Sequence, residues 1–333
     1  MRAVLIEEPG KVSVASVADP IPGPGEVVVA VAACGICGTD LHIMDGEFPP
    51  TPYPIVPGHE FAGHVVAVGD GVATVVEGTA VAVDPSLFCG ECHYCAIGRG
   101  NLCERWNAIG VTRNGACAPF ALAPAANCYP LPDGVEVRHA ALIEPLSCAV
   151  RGFDLLPRRL GEHYLIYGAG TMGLLMLQLA WRAGAASLSV VDLNADRLAI
   201  ATKFGADAVA TGADELDRPQ GWEVVIDCTG VVAAIEDALT RVRRGGTFQQ
   251  FGVAPAEAMA SFSPFRVYHD EITIVGSMAV LASFGRAVEL MGRGVVDAET
   301  MISHSFALND YPAALDAFRA GLGCKLQIRP GAD

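Results

Sequence analysis

The sequence predicts an α/β protein in two parts, a β-rich portion followed by a doubly wound parallel sheet. Up to about residue 145 the chain is rich in Gly, Pro and short β-branched runs: "EVVVAVAA" (26–33), "HVVAVG" (64–69) and "TAVAVDP" (79–85). That is how all-β sequences read. From about residue 161, strand-like runs alternate with segments of helical length, the pattern of βαβ units. At 333 residues, the chain is long enough for two domains with their own cores.

Taken in order, the N-terminal "MRAVLIEEPGKVSV" alternates like a strand. The second part opens on the apolar run "HYLIYG" (163–168), followed by a helix over 171–184 that ends at Gly184. "SLSVVD" (187–192) is the next strand and 195–205 the next helix. Further strands fit at 207–210, 223–230, 246–252 and 272–277. Six strands with crossovers of this length indicate a parallel sheet. Beyond 280 come two helical stretches, 283–292 and 310–320, then a strand-like "KLQIRP" (325–330). No internal repeat or low-complexity tract interrupts the chain.

Composition narrows the function classes. Hydrophobic residues make up 52% and charged residues 18%, yet no apolar run reaches membrane-spanning length. The N-terminus meets Glu7 and Glu8 instead of a basic region with an apolar stretch and cleavage site, so the cytoplasm is the expected compartment. A net charge of −15 argues against nucleic-acid binding. The 11 cysteines, an odd number in a large chain, read as thiols and metal ligands and not as a disulfide framework.

The cysteines concentrate in "CGECHYCAIGRGNLC", where Cys89, Cys92, Cys95 and Cys103 follow C-x2-C-x2-C-x7-C. Four thiolates in a compact loop suit tetrahedral zinc, and an all-cysteine site is structural. The x7 spacing and the lack of a following proline count against an iron–sulfur cluster. His93 lies inside the motif as a bystander.

A second motif, "GAGTMG", places Gly168, Gly170 and Gly173 between a strand and a helix, with Asp192 19 residues further on at the end of the next strand. This is a dinucleotide fingerprint: Gly168 for the turn, Gly170 for close approach of the pyrophosphate, Gly173 for helix–strand packing. Asp192 would bind the adenosine ribose hydroxyls and repel a 2′-phosphate, favouring NAD. Arg197 is near enough in sequence to reach the same ribose and soften that preference.

A third set is scattered: "CGICGTDLH" (34–42), "PGHEFAGH" (57–64) and "EPLSCAV" (144–150). "PGHEFAGH" looks at first like a zinc-protease helix, but its histidines are five apart and Pro57, Gly58 and Gly63 oppose a helix. Gly63 fits the start of the strand at 64–69. Cys37, His59 and Glu144 offer one sulfur, one nitrogen and one oxygen, the three-ligand donor set of a catalytic zinc. Sequence alone does not bring these segments together, and a Cys34–Cys37 redox pair is the rival reading.

With these residues in hand, the whole chain resembles the zinc-dependent medium-chain dehydrogenases of the alcohol dehydrogenase superfamily. The resemblance rests on "CGICGTDLH", "PGHEFAGHVVAVG", the four-cysteine lobe, "GAGTMG" and the strand ending at Asp192. It implies a GroES-like catalytic domain over 1–146 with a zinc lobe at about 86–105. A Rossmann NAD-binding domain over 147–280 and a return to the catalytic domain over 281–333 complete the expected chain. It implies one catalytic zinc held by Cys37, His59 and Glu144, with Cys148 as an outside candidate, and one structural zinc in the lobe. A glutamate as the last ligand points to the polyol branch, similar to sorbitol, xylitol or arabitol dehydrogenases. Glu60 matches the glutamate that sits by the zinc or ligates it when water leaves.

The implied reaction is oxidation of a secondary alcohol, expected to be a polyol or sugar alcohol, to the ketone with hydride transfer to NAD. Thr39 and His42 occupy the family's proton-relay positions, and Asp40 is expected to orient a ligand from behind. His64, His139, His163, His269 and His304 receive no role. Other substrates on the same scaffold are simple secondary alcohols, amino-alcohols, cyclitols and sugar-alcohol phosphates. A zinc-ribbon binding protein is the non-enzymatic alternative, opposed by the charge and the complete dinucleotide fingerprint. The family also implies a homo-oligomer, tetramer or dimer, with no membrane or nucleic-acid partner.

Overall fold

The computed structural model describes residues 1–48 and 50–331. The chain divides into two compact units, one made of Met1–Ser147 with Val280–Asp333 and the other of Cys148–Ala279.

The first unit opens with an antiparallel hairpin, β1 (Arg2–Glu8) and β2 (Lys11–Ser16), turned at Gly10 with φ of 81°. The long strand β3 (Glu26–Ile36) pairs antiparallel with β4 (Glu60–Val68). β5 (Ala80–Val83) continues the sheet beyond β4. β6 (Ser86–Leu87) and β7 (Asn107–Ala108) form a small ribbon flanking the cysteine loop, and β8 (Phe120–Pro124) pairs with β3. β9 (Cys128–Pro130) adds to β5. Helix α1 (Gly38–Asp45) follows β3 directly, α2 (His93–Ala96) lies within the cysteine loop, and α3 (Ile143–Asp154) leads towards the second unit.

β4 starts at Glu60, so Gly63 is not the start of that strand but lies three residues inside it. The reason is steric: a Cβ at Gly63 would overlap the carbonyl of Ala30 on β3, so only glycine permits the pairing.

The second unit is a six-stranded sheet in the order β12-β11-β10-β13-β14-β15, with every pairing parallel. Its strands are β10 (His163–Tyr167), β11 (Ser187–Val191), β12 (Ala208–Ala210), β13 (Trp222–Asp227), β14 (Val242–Gln250) and β15 (Thr273–Gly276). The sequence reading placed all six. The connecting helices are α4 (Thr171–Arg182), α5 (Ala195–Lys203), α6 (Val232–Arg241) and α7 (Pro264–His269). α4 buries every residue from Gly173 to Ala180, as expected of a helix apolar all round. Order reverses between β10 and β13, which puts a topological switch point beside the glycine turn that ends β10.

The chain then returns to the first unit through α8 (Phe284–Gly292), α9 (Ala298–Met301), β16 (Ile302–Ala307), α10 (Tyr311–Arg319) and β17 (Lys325–Arg329). β17 pairs antiparallel with β3 on the edge away from β4. The first unit's sheet therefore runs β16-β17-β3-β4-β5-β9. Its core includes Val27, Val29, Ile36, Phe61, Val81, Leu326 and Ile328.

Candidate functional site

Three neighbouring strands of the first unit build the site. Cys37 follows β3 and caps α1: its sulfur accepts the N–H of Thr39 at 3.3 Å, and Asp40 Oδ2 accepts the N–H of Cys37 at 2.9 Å. Acceptors at a helix start satisfy amides that have no intrahelical partner. His59 sits just before β4, delivered by Gly58 in a left-handed turn of φ 100°. A Cβ at Gly58 would press on the sulfurs of Cys34 and Cys117, so this turn requires glycine for both space and conformation.

The result is a close pair, with His59 buried and Cys37 half-buried. Cys37 Sγ lies 3.3 Å from His59 Nε2. On the other edge of the ring, Asp40 Oδ1 stands 3.8 Å from His59 Nδ1. Donor atoms of Cys37, Asp40 and His59 all fall within 4.8 Å of one another. The two ring nitrogens divide the surroundings: Nε2 shares its side with the thiol, while Asp40 faces the Nδ1 edge beyond hydrogen-bond distance and acts on the ring through its charge. Asp40 therefore belongs behind the histidine.

Glu60 and Glu144 are buried beside this pair. Glu144 stands in the first turn of α3, outside the tight Cys37–Asp40–His59 group, and interacts electrostatically with His59, Glu60 and Lys325. Cys148, one turn later on α3, is half-buried.

Electrostatics describe a site short of positive charge. Burial, reinforced by Glu60, pushes the Glu144 carboxyl up to about 7. Burial also raises Asp40. Burial alone would lower His59, but Cys37 and Asp40 outweigh it and hold its pKa well above the ordinary range. One thiol and three carboxyls thus crowd around His59, with Lys325 as the buried cation. Cys37 and His59 would hold a divalent metal that would supply the missing charge, and a sulfur, nitrogen and oxygen donor set suits zinc. The residues fit the metal.

The cysteine lobe fits a second. Cys89 and Cys95 sulfurs are 3.9 Å apart, as are those of Cys92 and Cys103. A tetrahedron with Zn–S bonds of about 2.3 Å has edges of about 3.8 Å. Backbone amides already point at the sulfurs: Cys103 accepts from Cys89 at 3.4 Å and from Arg105 at 3.3 Å. Amides of Glu91 and Cys92 lower the Cys89 thiol to about 6, whereas burial raises Cys95 to about 12. Such a split belongs to thiols competing in one cluster.

In the second unit, Gly168 ends β10 with φ of 95°. Gly173 packs α4 on that turn so closely that a Cβ would overlap the Gly168 carbonyl. Gly170 is the N-cap of α4, and a Cβ there would meet nothing nearer than the Arg197 guanidinium at 3.9 Å. Space over Gly170 is thus open, with the first-turn amides of α4 available to a phosphate. Asp192 follows β11, and Asn194 caps α5 by accepting from Asp196 and Arg197.

Sequence and structure comparisons identify the family. The alcohol dehydrogenase GroES-like domain family matches residues 23–133, and the zinc-binding dehydrogenase family matches 171–293. D-arabinitol dehydrogenase 1 of Uromyces fabae is 35% identical over 99% of this chain and 97% of that protein. D-altritol 5-dehydrogenase of Agrobacterium fabrum is 31% identical over 93% and 94%. A candidate zinc-binding dehydrogenase of Sinorhizobium meliloti 1021, solved with NADP, superposes with a TM-score of 0.95 at 35% identity, covering 99% of each chain. Fold and site define a GroES-like plus Rossmann oxidoreductase. The chain belongs to the zinc-dependent medium-chain alcohol dehydrogenase family, on its polyol branch.

Nothing in the sequence marks two further residues of the site. Lys325 is 2% exposed, and its ammonium contacts the Glu60 carboxylate and donates to the Ile36 carbonyl at 2.9 Å. Burial would lower the Lys325 pKa, but Glu60 outweighs it and the pKa is raised. Gly35 lies directly opposite Glu60 in the β3–β4 register. A lysine opening a terminal strand reads as a solvent-facing end. Only the pairing of β17 with β3 turns it inward.

Proposed function

We propose that this protein oxidises a secondary hydroxyl of a polyol to the ketone, passing the hydride to NAD and the proton to solvent. The observation that carries the reading is the close Cys37–His59 pair, surrounded by buried carboxylates that a divalent cation would balance. Polyol activity in the two curated relatives supports the substrate class.

In this reading Cys37, His59 and Glu144 hold one zinc, and Cys89, Cys92, Cys95 and Cys103 hold another. The first zinc supplies Lewis acidity to the substrate hydroxyl. Asp40 backs the Nδ1 edge of His59 with its charge, which leaves Nε2 to the metal. Glu60, paired with Lys325, stands beside the metal without closing it. Thr39 and His42 lie three apart on α1 and so share a face. Thr39 is cast as the hydroxyl that takes the substrate proton, and His42 as its exit. The His42 ring is 27% exposed and bonds Glu47 at 2.8 Å, which suits a group handing a proton to water.

Gly168, Gly170 and Gly173 shape the dinucleotide turn, and Asp192 and Arg197 face the adenosine ribose. The carboxylate of Asp192 favours NAD over its 2′-phosphorylated form. Thiols kept as metal ligands suit a reducing compartment, so the cytoplasm is the proposed location. β15 is the outer strand of its sheet, with Phe262, Phe265, Tyr268 and Ile274 exposed around it. An open edge with exposed apolar side chains supports a homo-oligomer formed there.

One assay tests the reading: zinc content together with NADH formation on D-arabinitol, sorbitol, xylitol, threonine, 2-propanol and a sugar-alcohol phosphate. Two zincs per chain and highest kcat/KM on an unphosphorylated polyol are expected. One zinc, or no turnover of any polyol, overturns it.

A further inference from the structure

Lys325 reaches Glu60 across an intervening strand. β17 and β4 are not neighbours, because β3 runs between them. Gly35 on β3 is opposite Glu60 on one side and opposite Gln327, two residues beyond Lys325, on the other. A Cβ at Gly35 would overlap the Glu60 carboxylate and stand 2.7 Å from Lys325 Cε. The absent side chain of Gly35 is therefore the gap through which the two charged groups meet.

The pair has an electrostatic task. Cys37 as thiolate and Glu144 as carboxylate already neutralise a divalent ion. Glu60 follows the ligand His59 directly, and as a third buried anion it would be drawn onto the metal. Desolvated charges interact strongly, so an uncompensated buried carboxylate does not stay idle beside a cation. The Lys325 ammonium cancels that attraction, and its bond to the Ile36 carbonyl anchors it to β3.

We propose that Lys325 is a positioning residue that holds Glu60 off the catalytic metal through the Gly35 gap, and thereby keeps the metal's fourth position open. The inference rests on the metal reading given above, and its test needs neither an alcohol nor a nicotinamide. The chain is loaded with cobalt(II) in place of zinc, and imidazole is titrated in while the visible d–d spectrum is followed. Cobalt in the closed four-cysteine lobe gives an imidazole-insensitive background. In the unaltered chain, imidazole enters the open position and shifts the spectrum.

Lys325→Met is expected to keep two metals per chain but to need at least about tenfold more imidazole for the same shift, with a 10- to 100-fold loss of kcat on the zinc enzyme. Lys325→Arg should restore the imidazole response, and so should the double variant Lys325→Met/Glu60→Gln, which has no anion left to close the site. If Lys325→Met alone yields no folded protein, the double variant carries the test. A Lys325→Met metal as open to imidazole as the original overturns the proposal. So does a folded double variant that stays closed. An unaltered chain that binds cobalt only in the lobe overturns the metal reading itself.

Discussion

Asp192 accepts the N–H of Ala169 at 2.6 Å through Oδ2 and that of Asn194 at 2.7 Å through Oδ1. One carboxylate thus ties the glycine turn after β10 to the start of α5, and the same carboxylate is the group assigned to the adenosine ribose. Asp192→Ala is expected to lose both functions. Two charge-assisted bonds contribute about 1.5–3 kcal/mol each to stability, so the melting temperature falls by several degrees. The ratio of kcat/KM for NAD to that for NADP should fall by about tenfold or more, because a hydrogen-bond acceptor for the 2′-hydroxyl and a repulsive charge against the 2′-phosphate disappear together. Steady-state kinetics with both cofactors decides. An unchanged ratio would remove Asp192 from cofactor selection.

Two glycines of the turn should fail in different ways. Gly173→Ala places a methyl on the Gly168 carbonyl, and overpacking of this kind destabilises by about 1–3 kcal/mol. Gly170→Ala meets open space, so the melting temperature should hold within a degree or two while the dissociation constant for NADH rises by about tenfold or more. Calorimetry and NADH fluorescence titration separate the two. Equal destabilisation by both would argue that Gly170 serves only the fold.

The cysteine lobe should be separable from the catalytic metal. Cys103→Ser removes the sulfur that accepts two backbone amides. Zinc content is expected to drop from two per chain to one, with a lower melting temperature. Loss of both zincs would mean that the two sites depend on each other.

That one-zinc variant makes the remaining site measurable against pH. Without metal, Glu144 holds a proton below about 7, and the proton must leave before the carboxylate binds zinc. Affinity therefore rises with pH through about 7 and falls below it. Competition against a chromophoric chelator should give binding at least about tenfold weaker at pH 6 than at pH 8. His59, held protonated by Cys37 and Asp40, adds to the same slope, so Glu144→Gln in the one-zinc variant isolates the carboxylate's share: an unchanged pH dependence would exclude Glu144 as a ligand.

The fold and the local motifs were legible because their information is local. The glycine turn and the four cysteines each lie within one short segment, where spacing dictates geometry. The six parallel strands announced themselves through alternation with helices. The boundary at "PGHEFAGH" was harder: glycine at 63 mimics a strand start, when its true cause is the Ala30 carbonyl on the partner strand. Lys325 lies 265 residues after Glu60 in the chain, and a contact at that separation depends on which strands pair. No periodicity or motif encodes it.

Because β17 supplies Lys325 and pairs with β3 on the edge away from β4, the metal neighbourhood is assembled from residues up to Glu144 and one that lies 181 residues further along the chain. A nascent chain stalled before Lys325 would already hold Cys37, His59, Glu60 and Glu144, with Glu60 carrying an uncompensated charge. Metal captured by such a chain would meet a different set of charges from the one that the finished fold presents.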